Sequence, residues 1–276
     1  MCSISAVILT KNEEINLNRC IESVRWCREI VVVDSGSTDR TFQLAKSLGA
    51  SVISHIQAAP FQISVQRNWA LKNCSLSGDW VLFLDADETI PKDLASEIKR
   101  ICSLEEQTFN AFELTPRFWF WGKWLKRTQG YPNWHARLLK RDEVQFAGGV
   151  WEHFASGARV GRIDIPYDHF ANSKGFSDWL ERHERYAAWD AEHIDAYLKT
   201  NRKSAFATER KLKLRSWAAR FWPFRPLFRF AQMFLFRCGF MEGKVAFIYS
   251  VLCAFYEFMI VIKIIELRRK HRQLPL

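Results

Sequence analysis

The chain has 276 residues, of which 48% are hydrophobic and 25% charged, an ordinary composition for a globular protein with one large domain and room for an appendage. Its net charge of +10 lies entirely in the tail. Residues 1–200 hold 24 Lys and Arg against 26 Asp and Glu, whereas residues 201–276 hold 16 against 4. A nucleic-acid-binding enzyme would carry basic residues around its working domain as well, so nucleic acid is not an expected partner.

The first hundred residues predict strands that alternate with helices. Apolar runs indicate strands over 4–9, 30–33, 51–55 and 80–84. Helical patterns follow over 12–24, with Asn12 as the predicted cap, and then over 39–48, 61–73 and 91–103. This alternation implies βαβ units, and the nearly continuous apolar strands indicate helices on both faces. The predicted fold class is therefore α/β, with a Rossmann-like, mostly parallel sheet.

Polar residues follow three of these strands. They form the clusters Thr10 to Glu14, Asp34 to Ser37 and Asp85 to Glu88. Ligands of open parallel sheets bind beyond the carboxyl ends of the strands, so all three clusters are expected on one rim. Neither a G-x-G-x-x-G fingerprint after the first strand nor a G-x-x-x-x-G-K-[ST] loop is present, which argues against a dinucleotide oxidoreductase and a P-loop enzyme.

Two carboxylates dominate the third cluster. Asp85 and Asp87 are two residues apart, so at an extended strand end their side chains are expected to point the same way. Converging carboxylates repel each other unless a cation lies between them, and oxygen ligands select Mg²⁺ or Mn²⁺. The alternative is an aspartate that caps the next helix, although Ile90 and Pro91 separate the cluster from that helix.

The motifs together resemble inverting family 2 glycosyltransferases of GT-A fold. The three rim clusters and Gln66-Arg67-Asn68 occur in that family's order over roughly the first hundred residues. Farther on, the segments 134–138 and 150–153, His169 and 237–243 resemble the lipopolysaccharide core β-1,4-glucosyltransferase branch. That branch often has histidine where this sequence has Trp151.

The resemblance implies a nucleoside diphosphate sugar as donor, such as a UDP-hexose. Asp34 is then placed to contact the nucleotide base, and Thr10, Asn12 and Glu14 line the same pocket. Asp34 is alternatively a turn residue before Gly36.

The resemblance also implies roles around the diphosphate. Arg67 is expected to pair with it, or else to be a solvated helix residue. Asp87 is the favoured metal ligand, and Asp85 reaches the metal, a water on it, or the ribose. Glu88 orients these groups, or is a surface acid.

Glu152 is the candidate general base that takes the proton of the acceptor hydroxyl. It follows the glycine pair 148–149 and lies beside Trp151, whose ring could exclude water; the alternative is a peripheral glutamate. Four further residues are expected to contact the acceptor or metal or to support the site, with ordinary structural roles as the alternative: His135, Arg137, His153 and His169.

The tail combines arginines with aromatic residues over 215–237, as a helix in the headgroup layer of a membrane does. Residues 245–262 are apolar except for Glu257, which favours an interfacial or re-entrant hairpin over a full crossing. The soluble alternative is a helical subdomain or homo-oligomer interface. We therefore expect a catalytic domain over 1–200 and a basic, aromatic, membrane-associated helical region over 201–276.

With no signal peptide evident, the cytoplasmic face of the bacterial inner membrane is the expected location. The expected acceptor is a lipid-linked saccharide of lipopolysaccharide core or another surface glycan. The alternatives are transfer to polyprenyl phosphate and a non-catalytic scaffold that binds nucleotide sugar.

Overall fold

The computed structural model describes residues 3–58, 62–148, 152–200 and 221–276. The described residues form two compact units, one made of those within 3–119 and 131–173 and the other of those within 120–130, 174–200 and 221–276. The catalytic and membrane-associated regions expected over 1–200 and 201–276 stay a prediction. In the compact units, the long helix that precedes residue 200 belongs with the last helix of the chain, on which it packs.

The first unit is built on a mixed sheet. The strands along this sheet, in chain order, are β1 Ile4–Thr10, β2 Glu29–Asp34, β3 Ser51–Ser54, β4 Trp80–Asp85, β5 Glu88–Thr89, β6 Ala111–Phe120, β8 His135–Lys140 and β11 Val160–His169. Three further strands of two residues each are β7 Lys123–Trp124, β9 Phe146–Ala147 and β10 His153–Phe154. The main sheet has the order β3-β2-β1-β4-β8-β6-β11-β5. Strands β1 to β4 are mutually parallel, as predicted, whereas β8 runs antiparallel to both of its neighbours.

Helices cover both faces of this sheet. Its four helices are α1 Leu17–Ser23, α2 Thr41–Ser47, α3 Ile63–Asn73 and α4 Lys92–Cys102. Successive side chains of β1 point to opposite faces of the sheet, so the hydrophobic core has two parts. Ala6 and Ile8 pack with α1, α2 and α4 on one face, and Val7 packs with α3 on the other. The predicted α/β architecture, with a mostly parallel sheet between two layers of helices, is confirmed.

The cap predicted for the first helix is wrong. Helix α1 begins at Leu17, and Asn12 has a left-handed backbone with φ of 55°. The amide of Thr38 donates to Asn12 Oδ1 at 2.7 Å, and the amide of Asn12 donates to Ser37 Oγ at 2.8 Å. Asn12 is therefore part of a loop that binds the neighbouring loop after β2, and helical structure starts only after that contact.

The second unit is helical. It contains α5 Gly175–Thr200, α6 Arg225–Phe230 and α7 Lys244–His271, with short turns of 3₁₀ helix at Trp222–Phe224 and Gly239–Glu242 and a π-helical turn at Ala231–Phe236. Ala187 and Ala191 of α5 pack against Ile260 and Ile264 of α7. Within the described part of the chain, α7 is the one helix long and apolar enough to cross a membrane by length and composition.

Candidate active site

The loops after β1 and β2 are held together at the carboxyl end of the sheet. Asp34 ends β2 and is almost fully buried, and its carboxylate accepts from the hydroxyl of Thr10 at 3.2 Å and from the amides of Gly36 and Ser37 at 3.1 and 2.9 Å. Asp34 therefore supports the turn before Gly36, with Thr10 beside it, and the nucleotide contacts expected of both residues stay predictions. Glu14 accepts from the amide of Arg40 at 3.0 Å, at the outer end of the same loops.

Asp85 and Asp87 have different ion-pair partners, and the expectation that their side chains point the same way stays a prediction. Strand β4 ends at Asp85, and a turn carries the chain to Asp87, so the two-residue periodicity of a strand no longer applies. The two oxygens of Asp85 accept from Arg67 at 3.1 Å and from Arg137 at 3.2 Å. Burial raises the pKa of Asp85, but the two guanidinium charges outweigh burial and hold the pKa below its ordinary value.

Arg67 is fully buried on α3, so the alternative of a solvated helix residue is wrong. Besides Asp85, it pairs with Glu152 at 2.8 Å and donates to the carbonyl of Ala136 at 3.0 Å. Its guanidinium lies over the rings of Phe83 and Phe146, with centroid distances of 5.6 and 5.4 Å. Such a side chain is fixed in place, and it fixes the two carboxylates that it contacts.

Arg137 lies at the centre of the charged cluster. From β8 it pairs with Glu88 at 2.8 Å, with Glu152 at 2.7 Å and with Asp85 at 3.2 Å. Burial lowers the pKa of Arg137, but the charges of Glu88, Tyr167 and Asp85 raise it well above the ordinary value. One permanently charged side chain therefore connects residues from β4, β5 and the segment before β10.

Glu88 is fully buried, so its alternative role as a surface acid is wrong. Burial raises the pKa of Glu88, since it outweighs the opposing charge of Arg137. The amide of Asp85 donates to Glu88 Oε2 at 3.1 Å, which closes the turn between β4 and β5. Glu88 thus holds both Arg137 and the backbone of Asp85 in place, and its orienting role in the site stays a prediction.

Glu152 is brought to the cluster by the chain segment that precedes β10. Its Oε1 accepts from both arginines, while Oε2 is buried and has no hydrogen-bond partner among the residues that the structure describes. A buried carboxylate oxygen without a partner is rare and costly, and it is placed to accept a proton or a hydrogen bond from a ligand. The neighbouring Trp151 lies outside the described residues.

Asp87 forms a separate pair with His169 at the end of β11, where Oδ2 and Nε2 are 3.5 Å apart. Burial lowers the pKa of His169, but the negative charge of Asp87 and a hydrogen bond to it raise the pKa to about 9. The amide of Phe170 also donates to the carbonyl of Asp87 at 2.9 Å. The antiparallel pairing of β5 with β11 is what brings His169 to this position.

The two remaining histidines differ. His135 contacts the hydroxyl of Tyr167 at 2.8 Å, and burial together with the charge of Arg137 lowers its pKa to about 3. His153 is exposed on the small β9–β10 hairpin, and no contact with the charged cluster is described for it. Tyr167, fully buried with its ring 5.7 Å from the guanidinium carbon of Arg137, was missed, because one tyrosine in a strand carries no sequence signal.

The chain belongs to the family 2 glycosyltransferases, because the sequence model described as "Glycosyl transferase family 2" matches residues 5–167, more than half of its length. An uncharacterized glycosyltransferase of Rickettsia typhi is 29% identical over 279 residues, which cover 99% of this chain and 90% of that protein. A lipopolysaccharide core biosynthesis glycosyltransferase of Rhizobium meliloti is 37% identical over 106 residues, 38% of each chain. The resemblance to this family, and to a glycosyltransferase of lipopolysaccharide core biosynthesis, is confirmed.

Two solved structures were also found to be similar. Glucosyl-3-phosphoglycerate synthase of Mycobacterium tuberculosis, in complex with Mn²⁺, UDP and glucosyl-3-phosphoglycerate, has a TM-score of 0.44 and 20% identity over 65% of this chain and 75% of that one. TarS 1–349 of S. aureus has a TM-score of 0.43 and 14% identity over 92% and 90%.

Proposed function

We propose that this glycosyltransferase moves a sugar, with inversion, from a nucleoside diphosphate sugar such as a UDP-hexose to a saccharide carried by a membrane lipid. The acceptor would belong to lipopolysaccharide core or another surface glycan. The observation that carries the proposal is Glu152, whose unpartnered Oε2 lies in a cluster with the strand-end residue Asp85, on the rim where ligands of such sheets bind.

Inversion requires a base on the side of the acceptor hydroxyl. Glu152 suits this role because Arg67 and Arg137 hold its Oε1, which fixes the carboxylate and leaves Oε2 for the proton. The same arginines hold Asp85, so donor-side and acceptor-side groups share one rigid frame. In this proposal the loops around Asp34 accommodate the nucleotide, with Thr10, Asn12 and Glu14 shaping that pocket.

A divalent ion, Mg²⁺ or Mn²⁺, is proposed as the cofactor. Asp87 would hold it, and His169, which is protonated at neutral pH with its pKa of about 9, would join as a ligand by releasing that proton. Their separation of 3.5 Å is close to the roughly 3 Å between neighbouring ligands of an octahedral ion. The described residues contain no group of three or more His, Cys, Asp or Glu side chains that could hold a metal, so donor phosphates would complete the shell. At this position a bound ion would supply positive charge against the departing diphosphate. Asp85, committed to two arginines, fits a ribose contact better than a metal.

The role of Glu152 is tested by Glu152→Gln in the full chain. We expect donor affinity, measured by calorimetry, to stay within about twofold, because the donor-side groups are unchanged, and transfer to fall by about 10²–10⁴, the contribution of a general base. The matched control is Glu113→Gln, which removes a carboxylate that pairs with a single exposed arginine, Arg162, at 3.0 Å. Transfer at the wild-type rate by Glu152→Gln would remove this residue from the base role.

Attachment to the cytoplasmic face of the bacterial inner membrane is proposed from the helical unit. An exposed apolar stripe runs along α7 at helical spacing through Phe247, Val251, Phe255, Phe258, Ile262 and Ile265. The opposite face of α7 packs on α5, and Glu257 pairs with Arg225 at 2.7 Å, which supports a helix that lies in the interface over one that crosses.

The attachment is tested with Phe247→Glu/Phe255→Glu, which places two charges on the apolar stripe. We expect sedimentation with inner-membrane vesicles to fall by at least tenfold, because each substitution replaces an inserted ring by a carboxylate. Leu104→Glu, which changes an exposed apolar residue of the first unit, serves as the control. Equal sedimentation of the two variants would contradict the attachment through α7.

The class of acceptor is tested by transfer assays with glycosylated lipids and with polyprenyl phosphate. Turnover only on glycosylated lipids supports the proposal, while turnover on the free phosphate supports the polyprenyl-phosphate alternative. Donor binding with no turnover on any acceptor and no donor hydrolysis would indicate a non-catalytic scaffold.

A further inference from the structure

The carboxylate of Asp34, around which the nucleotide pocket is proposed, already accepts several hydrogen bonds from its own loops. One oxygen accepts from the hydroxyls of Thr10 and Ser37, and the other accepts from the amides of Gly36 and Ser37 at 3.1 and 2.9 Å. A carboxylate has about four lone-pair sites, and these four donors take up that capacity. Discrimination between nucleobases therefore falls to another residue of the pocket.

His55 lies beside Asp34 at the rim of the sheet. It follows the last residue of β3, and its amide donates to the carbonyl of Asp34 at 2.8 Å. The next residue, Ile56, lies against the turn after β2, because a Cβ on Gly36 would be 3.0 Å from Ile56 Cδ1. The end of β3 and the turn that Asp34 supports are therefore in direct contact.

A buried glutamine determines which ring nitrogen of His55 carries the proton. Gln66 lies on α3 and is fully buried. Its amide nitrogen donates to the hydroxyl of Ser35 at 3.2 Å and to the carbonyl of His55 at 3.3 Å, and that carbonyl can only accept. The atom that lies 2.7 Å from His55 Nδ1 is therefore the amide oxygen. Because an amide oxygen also only accepts, the proton is on Nδ1, and Nε2 of the neutral ring is a hydrogen-bond acceptor.

The ring of His55 is held in place, and its Nε2 is open to a ligand. The ring stacks on Trp69 of α3, with centroids 3.8 Å apart and planes inclined by 12°. Within the described part of the chain, Nε2 has no hydrogen-bond partner, and the buried side-chain atoms without a partner are Arg67 Nε and Glu152 Oε2. His55 Nε2 is therefore accessible, and it offers an acceptor whose position is set before any ligand binds.

We propose that His55 Nε2 accepts a hydrogen bond from the base of the nucleotide donor and selects uracil, with Gln66 as the positioning residue. The inference rests on the nucleotide pocket of the proposed function and names the residue that chooses the base there. In uracil, N3 carries a hydrogen between two carbonyl oxygens, which matches an acceptor. In cytosine, N3 has no hydrogen, so two acceptors would face each other and binding would weaken.

The test measures, by calorimetry, the binding of UDP and CDP to full-length variants in the presence of Mg²⁺. The wild type should bind UDP at least about tenfold more tightly than CDP. His55→Phe keeps a flat ring on Trp69 but has no acceptor, so the affinity for UDP should fall by about fivefold and the preference over CDP to below about threefold. The control is His193→Phe, in which another histidine, 3.9 Å from the ring of Trp189 in the helical unit, is changed in the same way and should alter neither affinity.

The outcomes separate this inference from the function on which it rests. A wild type that binds CDP as tightly as UDP, or a preference that is unchanged in His55→Phe, would overturn the role of His55 and leave the proposed function standing. A wild type that binds no nucleoside diphosphate would reject the proposed donor, and this inference with it.

Two further measurements do not require His55→Phe to fold. N3-methyl-UDP, which lacks the N3 hydrogen, should bind the wild type at least about tenfold more weakly than UDP, and equal affinities would overturn the proposal. Gln66→Met removes the group that fixes the ring, so the preference for UDP over CDP should fall by about threefold in a protein that urea denaturation shows to be folded. An unchanged preference in Gln66→Met would reject Gln66 as the positioning residue.

Discussion

Replacement of Arg137 by methionine is the sharpest test of the charged cluster. The guanidinium of Arg137 pairs with Asp85, Glu88 and Glu152, and Glu88 is fully buried. Without Arg137, Glu88 keeps hydrogen bonds with the amide of Asp85 and the hydroxyl of Tyr167, neither of which carries a positive charge. Removal of one partner from a buried ion pair costs about 3–5 kcal/mol, because the remaining charge stays buried.

For a chain of this size, such a loss should lower the melting temperature of Arg137→Met by about 10 °C at pH 7.5. The matched control is Arg141→Met, just beyond the end of the same strand, where the partner Asp142 is exposed and the expected loss is below about 1 kcal/mol. Because the two compact units need not unfold together, hydrogen exchange on peptides from β4 and β8 should assign the loss to the sheet.

A second substitution identifies the cause. In Arg137→Met/Glu88→Gln the buried charge is absent, so at least half of the lost stability should return. A melting temperature of Arg137→Met within about 2 °C of that of Arg141→Met, or a double variant no more stable than the single one, would refute the view that Arg137 neutralises a buried carboxylate.

Three further predictions concern the metal, pH and packing. Donor hydrolysis should stop in EDTA and in Asp87→Asn, and added Mn²⁺ or Mg²⁺ should restore it only in the wild type; turnover that persists in EDTA would contradict the metal requirement. Because the pKa of His135 is about 3 in the folded protein and about 6.5 when unfolded, the unfolded state binds the extra proton. The stability of the wild type relative to His135→Asn should therefore fall as pH drops below 6.5, by about 1 kcal/mol at pH 5 after solvent screening. The denaturation midpoints of the two proteins are compared across pH 5–8, and midpoints that change in parallel would refute this prediction. Gly78→Ala should cost about 1–3 kcal/mol in urea denaturation, since its Cβ would lie 2.5 Å from the backbone nitrogen of Ser5; an unchanged midpoint would contradict this packing.

The sequence by itself determined the parallel half of the first unit, strands β1 to β4 and the helices between them. Apolar runs with β-branched residues are set by burial on both faces, and helical periodicity between them is set by packing on the sheet, so both signals are local. The order of the rim clusters also sufficed to indicate the family, and the family is confirmed. The sequence predicts a helix cap at Asn12, and this prediction is wrong because Asn12 makes its hydrogen bonds with Ser37 and Thr38, which lie in another loop.

Tertiary structure decided which charges meet. Asp85 and Asp87 are only two residues apart, yet Asp85 pairs with two arginines and Asp87 pairs with His169. A turn follows Asp85, and the antiparallel pairing of β5 with β11 brings the histidine to Asp87. Arg137 becomes the centre of the cluster only once β8 lies beside β4. Long-range strand pairing and desolvation set these contacts, and neither is encoded in the spacing of residues along the chain.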